Sequence, residues 1–154
     1  MGQQQLLLVI LVTIIVGIAT VVAINIFGTS AEQANQDAVR QDLAQIGTAA
    51  QGWVIKPALL GGGNNEFDDI DFRKFTFPGQ IDASNPLVAS NLNGYYVISD
   101  RGNDSFKVTA YLASSDDYTG TSAAGDWFEI VVERGEMFMS AVVNEPAVEE
   151  EVVE

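Results

Sequence analysis

Hydrophobic and polar positions follow three different rhythms along this chain, and each predicts a different element. Residues 6–27, LLLVILVTIIVGIATVVAINIF, carry no charge and are interrupted only by Thr13, Gly17, Thr20 and Asn25. An apolar run of about 20 residues matches the ~30 Å hydrocarbon layer of a bilayer, whereas apolar runs in buried soluble helices seldom exceed about 14. The threonine hydroxyls can bond back to their own helix, so they are tolerated in lipid. The first rhythm predicts a helix that spans or anchors.

The second rhythm is amphipathic. Ala34, Ala38, Leu43, Ile46, Ala50 and Trp53 recur mostly at steps of three and four, with Glu32, Gln36, Arg40, Gln41 and Gln45 off their stripe. Ser30 precedes Gln33 at capping-box spacing, and helix formers follow at once. Pro57 closes the segment, because it has no N–H to donate and clashes with the preceding turn. A helix from about residue 3 to residue 55 would be about 80 Å long at ~1.5 Å per residue, with Gly17 or Gly28 as candidate bends.

Residues 58–93 are the least regular. Gly61-Gly62-Gly63-Asn64-Asn65 reads as a flexible connection, and Ile70, Phe72, Phe75 and Phe77 as apolar side chains returned to the core by a long packed loop with at most one short strand. From Tyr95 the period becomes two. Residues 95–99, 105–113, 127–133 and 137–143 have strand composition, separated by turns at 100–104, 114–125 and Arg134-Gly135. Phe106, Val108, Ala110 and Leu112 share one face, as do Phe128, Ile130 and Val132. That face needs a cover, and the stripe ending at Trp53 is the long element that supplies it.

The predicted fold class is α+β, a long N-terminal helix packed on a four-stranded antiparallel sheet. Leu43, Ile46, Ala50 and Trp53 should meet Phe106, Val108, Phe128 and Ile130 in the helix–sheet core. The implied organisation is an apolar helix over 1–29, a globular head over 30–143 and an acidic tail over 144–154. The tail holds Pro146 and five glutamates in its last ten residues, so self-repulsion favours solvation.

Charge narrows the function. The 154 residues carry net charge −14, and the first charge is Glu32, so every acid and base lies beyond the apolar run. An acidic surface repels phosphate backbones and anionic headgroups, which excludes nucleic acid as a partner and leaves the helix alone to hold a membrane. Cysteine and histidine are absent. That removes disulfides, thiolate nucleophiles, the usual general base and the commonest transition-metal ligand. Met-Gly-Gln-Gln-Gln lacks the basic n-region of a signal peptide, which is explained if a basic leader has been removed. Gln3, Gln4 and Gln5 read either as an assembly determinant at the helix tip or as an interfacial polar cap.

Remaining candidates for chemistry have plainer readings beside them. Asp68, Asp69 and Asp71, or Asp116 and Asp117, offer carboxylates to calcium but lack EF-hand spacing, so solvated loop acids are the better reading. The triple glycine has neither the preceding strand nor the lysine of a phosphate cradle. Asn103-Asp104-Ser105 is a glycosylation sequon in a turn. Tyr95, Tyr96, Tyr111 and Tyr118 suit a ligand surface or an electron path, though strand packing explains them with less. A glycosidase pair such as Asp69 with Asp126 has nothing to set its separation. No catalytic residue, metal ligand or cofactor site is assigned.

An uncharged segment over 6–27 that runs without a break into an amphipathic helix over 31–55, then a variable loop and an antiparallel sheet, resembles the type IV pilin and pseudopilin family. The resemblance is one of architecture and covers most of the chain. It implies a subunit whose apolar helix sits in the membrane before assembly and then packs with identical copies in a filament core, with the heads outside. The assembly surface it implies comprises Gln5, Leu6, Leu7, Leu8, Ile10, Leu11, Thr13, Ile14, Gly17, Thr20, Val21, Ile24 and Phe27. Family members usually carry a glutamate at the fifth mature position. Here that position is Gln5 counted from Met1, or Leu7 if the mature chain begins at Gln3. The helix-breaking proline common in the apolar half is missing too.

The function implied is a structural subunit of an extracellular pilin-like filament at the cell surface, not an enzyme, whose partners are copies of itself and a pilus-type assembly machinery. The alternative is a monomeric membrane-anchored extracytoplasmic binding domain, or a minor pseudopilin of a secretion apparatus. Thr13, Gly17, Thr20 and Ala23 permit close helix approach in either case.

Overall fold

A computed structural model of the chain describes residues 2–112 and 127–139. Helix α1 occupies Gly2–Val54, and a single 3-10 turn follows at Ala58–Leu60. Six strands follow among the described residues: β1 Gln80–Ile81, β2 Val88–Ser90, β3 Gly94–Ser99, β4 Ser105–Leu112, β5 Trp127–Glu133 and β6 Glu136–Met139. The chain divides into two compact units, Met1–Asn35 and Gln36–Glu154.

In the first unit every described residue is helical. Its threonines bond back to their own helix, Thr13 Oγ1 to the Ile10 carbonyl and Thr20 Oγ1 to the Val16 carbonyl, both at 2.8 Å. These side chains therefore leave no hydroxyl unsatisfied on an otherwise apolar surface.

The second unit is helix on sheet. All six strands pair antiparallel with their sequence neighbours in the order β1-β2-β3-β4-β5-β6. Opposite β4, Phe106 faces Val132, Val108 lies between Ile98 and Ile130, and Ala110 lies between Tyr96 and Phe128. These side chains are buried and the residues between them are not, as strict two-residue alternation requires. The helix covers them with Val39, Leu43, Ile46, Gly47, Ala50, Trp53 and Val54. A Cβ on Gly47 would stand 2.5 Å from Met137 Sδ, so the absence of a side chain there lets helix and sheet approach.

The sheet has six strands, not four. β1 and β2 have two and three residues, too few to show an alternation, and they lie in the stretch read as a loop with at most one short strand. They form because the outer edge of β3 offers unpaired backbone groups, which β2 satisfies through Val88 to Ser90. The stripe also begins differently, with Val39 buried and Ala34 exposed.

The glycine run is a packed cap rather than an open connection. The N–H groups of Gly63, Asn64 and Asn65 donate to the carbonyls of Trp53, Lys56 and Val54 at 2.8–3.1 Å, and Trp53 Nε1 donates to the Gly61 carbonyl at 2.8 Å. The last carbonyls of a helix have no partner within it, and this loop supplies them. A Cβ on Gly63 would stand 2.4 Å from the Glu66 carbonyl oxygen and 2.6 Å from the Trp53 ring. Beyond the cap, Phe67, Ile70 and Phe72 are fully buried. Phe67 packs tilted against Phe106 with ring centroids 5.0 Å apart, and Phe77 meets Tyr96 edge-on at 5.3 Å. At the β5–β6 turn Gly135 has φ 86°, a conformation that side-chain-bearing residues seldom adopt.

Candidate functional site

The assembly surface inferred from sequence lies wholly on α1. Gln5, Leu6, Leu7, Leu8, Ile10, Leu11, Thr13, Ile14, Gly17, Thr20, Val21, Ile24 and Phe27 are all exposed within the first unit. A protein in water does not leave so many large apolar side chains open, and the helix is long and apolar enough to cross a membrane. The residues assigned to the helix–sheet core, Leu43, Ile46, Ala50, Trp53, Phe106, Val108, Phe128 and Ile130, are buried in the second unit.

Between helix and sheet lies a polar cluster that sequence reasoning missed. Asp42 stands beside Leu43 on the buried flank of α1. Its Oδ2 accepts from Asn91 Nδ2 at 2.7 Å, Asn93 Nδ2 at 2.9 Å and the Tyr96 hydroxyl at 2.6 Å. Asn91 Oδ1 in turn accepts the backbone N–H groups of Asn93 and Gly94 at 2.9 and 3.1 Å, which shapes the β2–β3 turn. Burial, then the hydrogen bond and the charge of Asp42, push the Tyr96 hydroxyl far above its ordinary pKa. It is held as a neutral donor. The carboxylate is satisfied on one oxygen by three donors from one turn and one strand, an arrangement that clamps β3 and the β2–β3 turn to the helix. The one local signal was the turn sequence Asn91-Leu92-Asn93-Gly94. Nothing local paired it with a residue 49 positions earlier.

On the opposite face of the sheet, Lys107 Nζ lies 3.2 Å from Asp100 Oδ2 and 3.4 Å from Glu129 Oε1. Its hydrogen bond to Asp100 holds the ammonium above its usual pKa, with Glu129 adding to this and desolvation opposing it. Burial and then Glu129 raise the Tyr111 hydroxyl as well. Arg134 pairs with Asp104, tying the β5–β6 turn to the β3–β4 turn. Asn103 of the sequon is exposed. Asp68 and Asp69 line a hollow with Glu66 and Lys74, while Asp71 Oδ1 accepts the Arg73 N–H at 2.7 Å. Asp116, Asp117, Tyr118, Asp126 and the acidic tail lie outside the described residues.

These features define a class: an α+β head on a membrane-length apolar helix, with polar groups spent on holding helix to sheet. The chain belongs to the family of MacB-like periplasmic core domains, whose model matches residues 7–152. No match was found among curated proteins or among solved structures.

This membership corrects the pilin reading. The features behind that resemblance, a half-apolar helix and an antiparallel sheet, are architectural, and sheet-covering helices recur in unrelated families. The residue-level mark of pilins, a glutamate at the fifth mature position, is absent at both Gln5 and Leu7. The family match therefore removes the filament subunit, the helical homopolymer, the pilus assembly machinery and the extracellular-filament location. A chain held in the membrane with a periplasm-facing head remains.

Proposed function

We propose that this chain is a membrane-anchored, extracytoplasmic binding domain serving a membrane transporter of the ABC type. The observation that carries the reading is the uncharged, exposed apolar surface of residues 6–27, followed in the chain by a head with a buried core of its own. Membership among MacB-like periplasmic core domains supports the compartment and the link to transport. In this reading the chain tethers and binds, and no bond is made or broken on it. The absence of histidine and cysteine and the engagement of Asp42 and Tyr96 in helix–sheet clamping support that role.

Because the chain has no cysteine, single substitutions report location cleanly. Asn103→Cys should react with a membrane-impermeant maleimide added to cells whose outer membrane alone is permeabilised. Val16→Cys should stay unlabelled until detergent is added, and the chain should resist extraction by alkaline carbonate. Labelling of Asn103→Cys only after lysis, or release by carbonate, would overturn the proposal.

A further inference from the structure

Four of the seven bases have no carboxylate within 4.0 Å among the described residues, since Arg40, Lys107 and Arg134 account for every ion pair there. Arg101 donates to the Ile70 carbonyl. The other three, Lys56, Arg73 and Lys74, line a single cleft of about 420 Å³ with Trp53, Phe75 and Gly52. In a chain of net charge −14 this is a local reversal of sign. Arg73 is steadied by donating to the Ala83 carbonyl at 3.3 Å, while Lys56 and Lys74 are exposed. Asp71 lies beside the cleft, its Oδ1 accepting the Arg73 backbone N–H at 2.7 Å, and Glu66, Asp68 and Asp69 line the adjoining hollow, which shares Trp53 and Lys74; none of the four forms an ion pair with the three cations.

Two further observations give the cleft a shape. Gly52 lies in the last turn of α1, where a Cβ would meet nothing within 4 Å. A Cβ at position 47 would press on Met137, whereas one at position 52 meets open space, so the missing side chain there leaves the cleft wall open. Beside the cleft, Ile55, Leu59 and Leu60 are 73%, 99% and 76% exposed, an apolar shoulder within six residues of chain around Lys56.

We propose that this cleft and shoulder dock an acidic peptide segment of a partner protein, one that places a bulky apolar side chain against Gly52 and Phe75 and its carboxylates on Lys56, Arg73 and Lys74. The occupant follows from charge complementarity: in a chain of net charge −14 this cleft gathers three of the four bases that have no carboxylate within 4.0 Å among the described residues. A cleft of this volume has the size of an ordinary ligand pocket, enough for one or two side chains. The inference rests on the binding-domain reading and gives it a surface and a partner chemistry.

The test uses the full chain in zwitterionic nanodiscs and a fluorescent peptide of alternating glutamate and leucine. Control peptides carry lysine for glutamate, or serine for leucine. Fluorescence anisotropy should show binding of the first peptide only, weakened by added salt. Lys56→Glu combined with Lys74→Glu, and separately Gly52→Leu, should each weaken it about tenfold or more, the scale of losing a close charge pair or a filled pocket. Leu92→Ser, at a residue 97% exposed elsewhere on the head, should leave binding unchanged. Equal binding of all peptides, indifference to the cleft variants, or Leu59-dependent capture of phosphatidylglycerol vesicles in place of the peptide would overturn the proposal. The maleimide experiment is independent: failed peptide binding with Asn103→Cys still labelled sinks the cleft alone, and the reverse sinks the location.

Discussion

Tyr96 donates its hydroxyl hydrogen to Asp42 Oδ2 at 2.6 Å, joining the third strand to the covering helix at the partly buried margin of the core. Tyr96 is fully buried while Asp42 is partly exposed, and the hydroxyl's other acceptor within reach, Asn91 Oδ1, lies farther away at 3.4 Å. A buried polar pair of this kind contributes modestly when complete and costs much more when halved.

Asp42→Ala removes the carboxylate acceptor of Asn91, Asn93 and Tyr96, leaving the Tyr96 hydroxyl only the longer contact to Asn91 Oδ1 at 3.4 Å. We expect a loss of about 2–4 kcal/mol, from the cost of stranding partly buried polar groups, read as a lower midpoint in urea unfolding of the head. A loss below about 0.5 kcal/mol would show that water replaces the carboxylate at no cost.

Tyr96→Phe keeps the ring and its edge contact with Phe77 but removes the donor, and should cost about 1.5–3 kcal/mol, the range for a hydrogen bond to a charged group. Its pH dependence has a definite sign. The folded-state pKa of Tyr96 lies above the unfolded value near 10, so its contribution is complete below that pH. As pH rises through about 10 toward the folded value, the unfolded chain sheds the proton first and stability falls. The wild-type chain should lose stability with rising pH in this window more steeply than Tyr96→Phe, measured by urea midpoints across the alkaline range.

Two glycines should respond in opposite directions to the same substitution. Gly63→Ala drives a Cβ into the Glu66 carbonyl and the Trp53 ring and opens the helix cap, so we expect a loss of about 1–3 kcal/mol. Gly52→Ala meets only open space and gains up to about 1 kcal/mol of helix propensity. Thermal melts of the two variants side by side check the signs.

Leu11→Arg places a charge within the apolar run, at a cost of about 2.5–3.5 kcal/mol near a bilayer centre. Membrane-associated yield should fall, while the tyrosine and tryptophan fluorescence of any detergent-extracted chain stays native, because the head's core is built from residues 36 onward. A fall in yield together with loss of the native fluorescence would mean that the head depends on the apolar segment.

The cap, the cluster and the short strands escaped the sequence for different physical reasons. Residues 61–65 look like a connection because glycine and asparagine favour turns, and only the nearness of the Trp53, Val54 and Lys56 carbonyls makes their N–H groups a cap. β1 and β2, at two and three residues, are too short to show an alternation. Asp42 reads as one more polar residue flanking a stripe, since its partners come from a turn roughly fifty positions later. The pilin resemblance went astray for a related reason: hydrophobic pattern reports architecture, and architecture does not separate families.

What the sequence determined by itself is whatever depends on neighbours along the chain. Hydrophobic period identified the apolar helix, the amphipathic stripe through Leu43, Ile46, Ala50 and Trp53, and the alternation of β4 and β5, because each arises from backbone geometry repeated over several residues. The tertiary structure alone decided the partners across space: that Gly47 makes room for Met137, that Tyr96 finds Asp42, and that Lys56, Arg73 and Lys74 share one cleft. Those meetings depend on how loops of undetermined path return to the helix, and no local period encodes them.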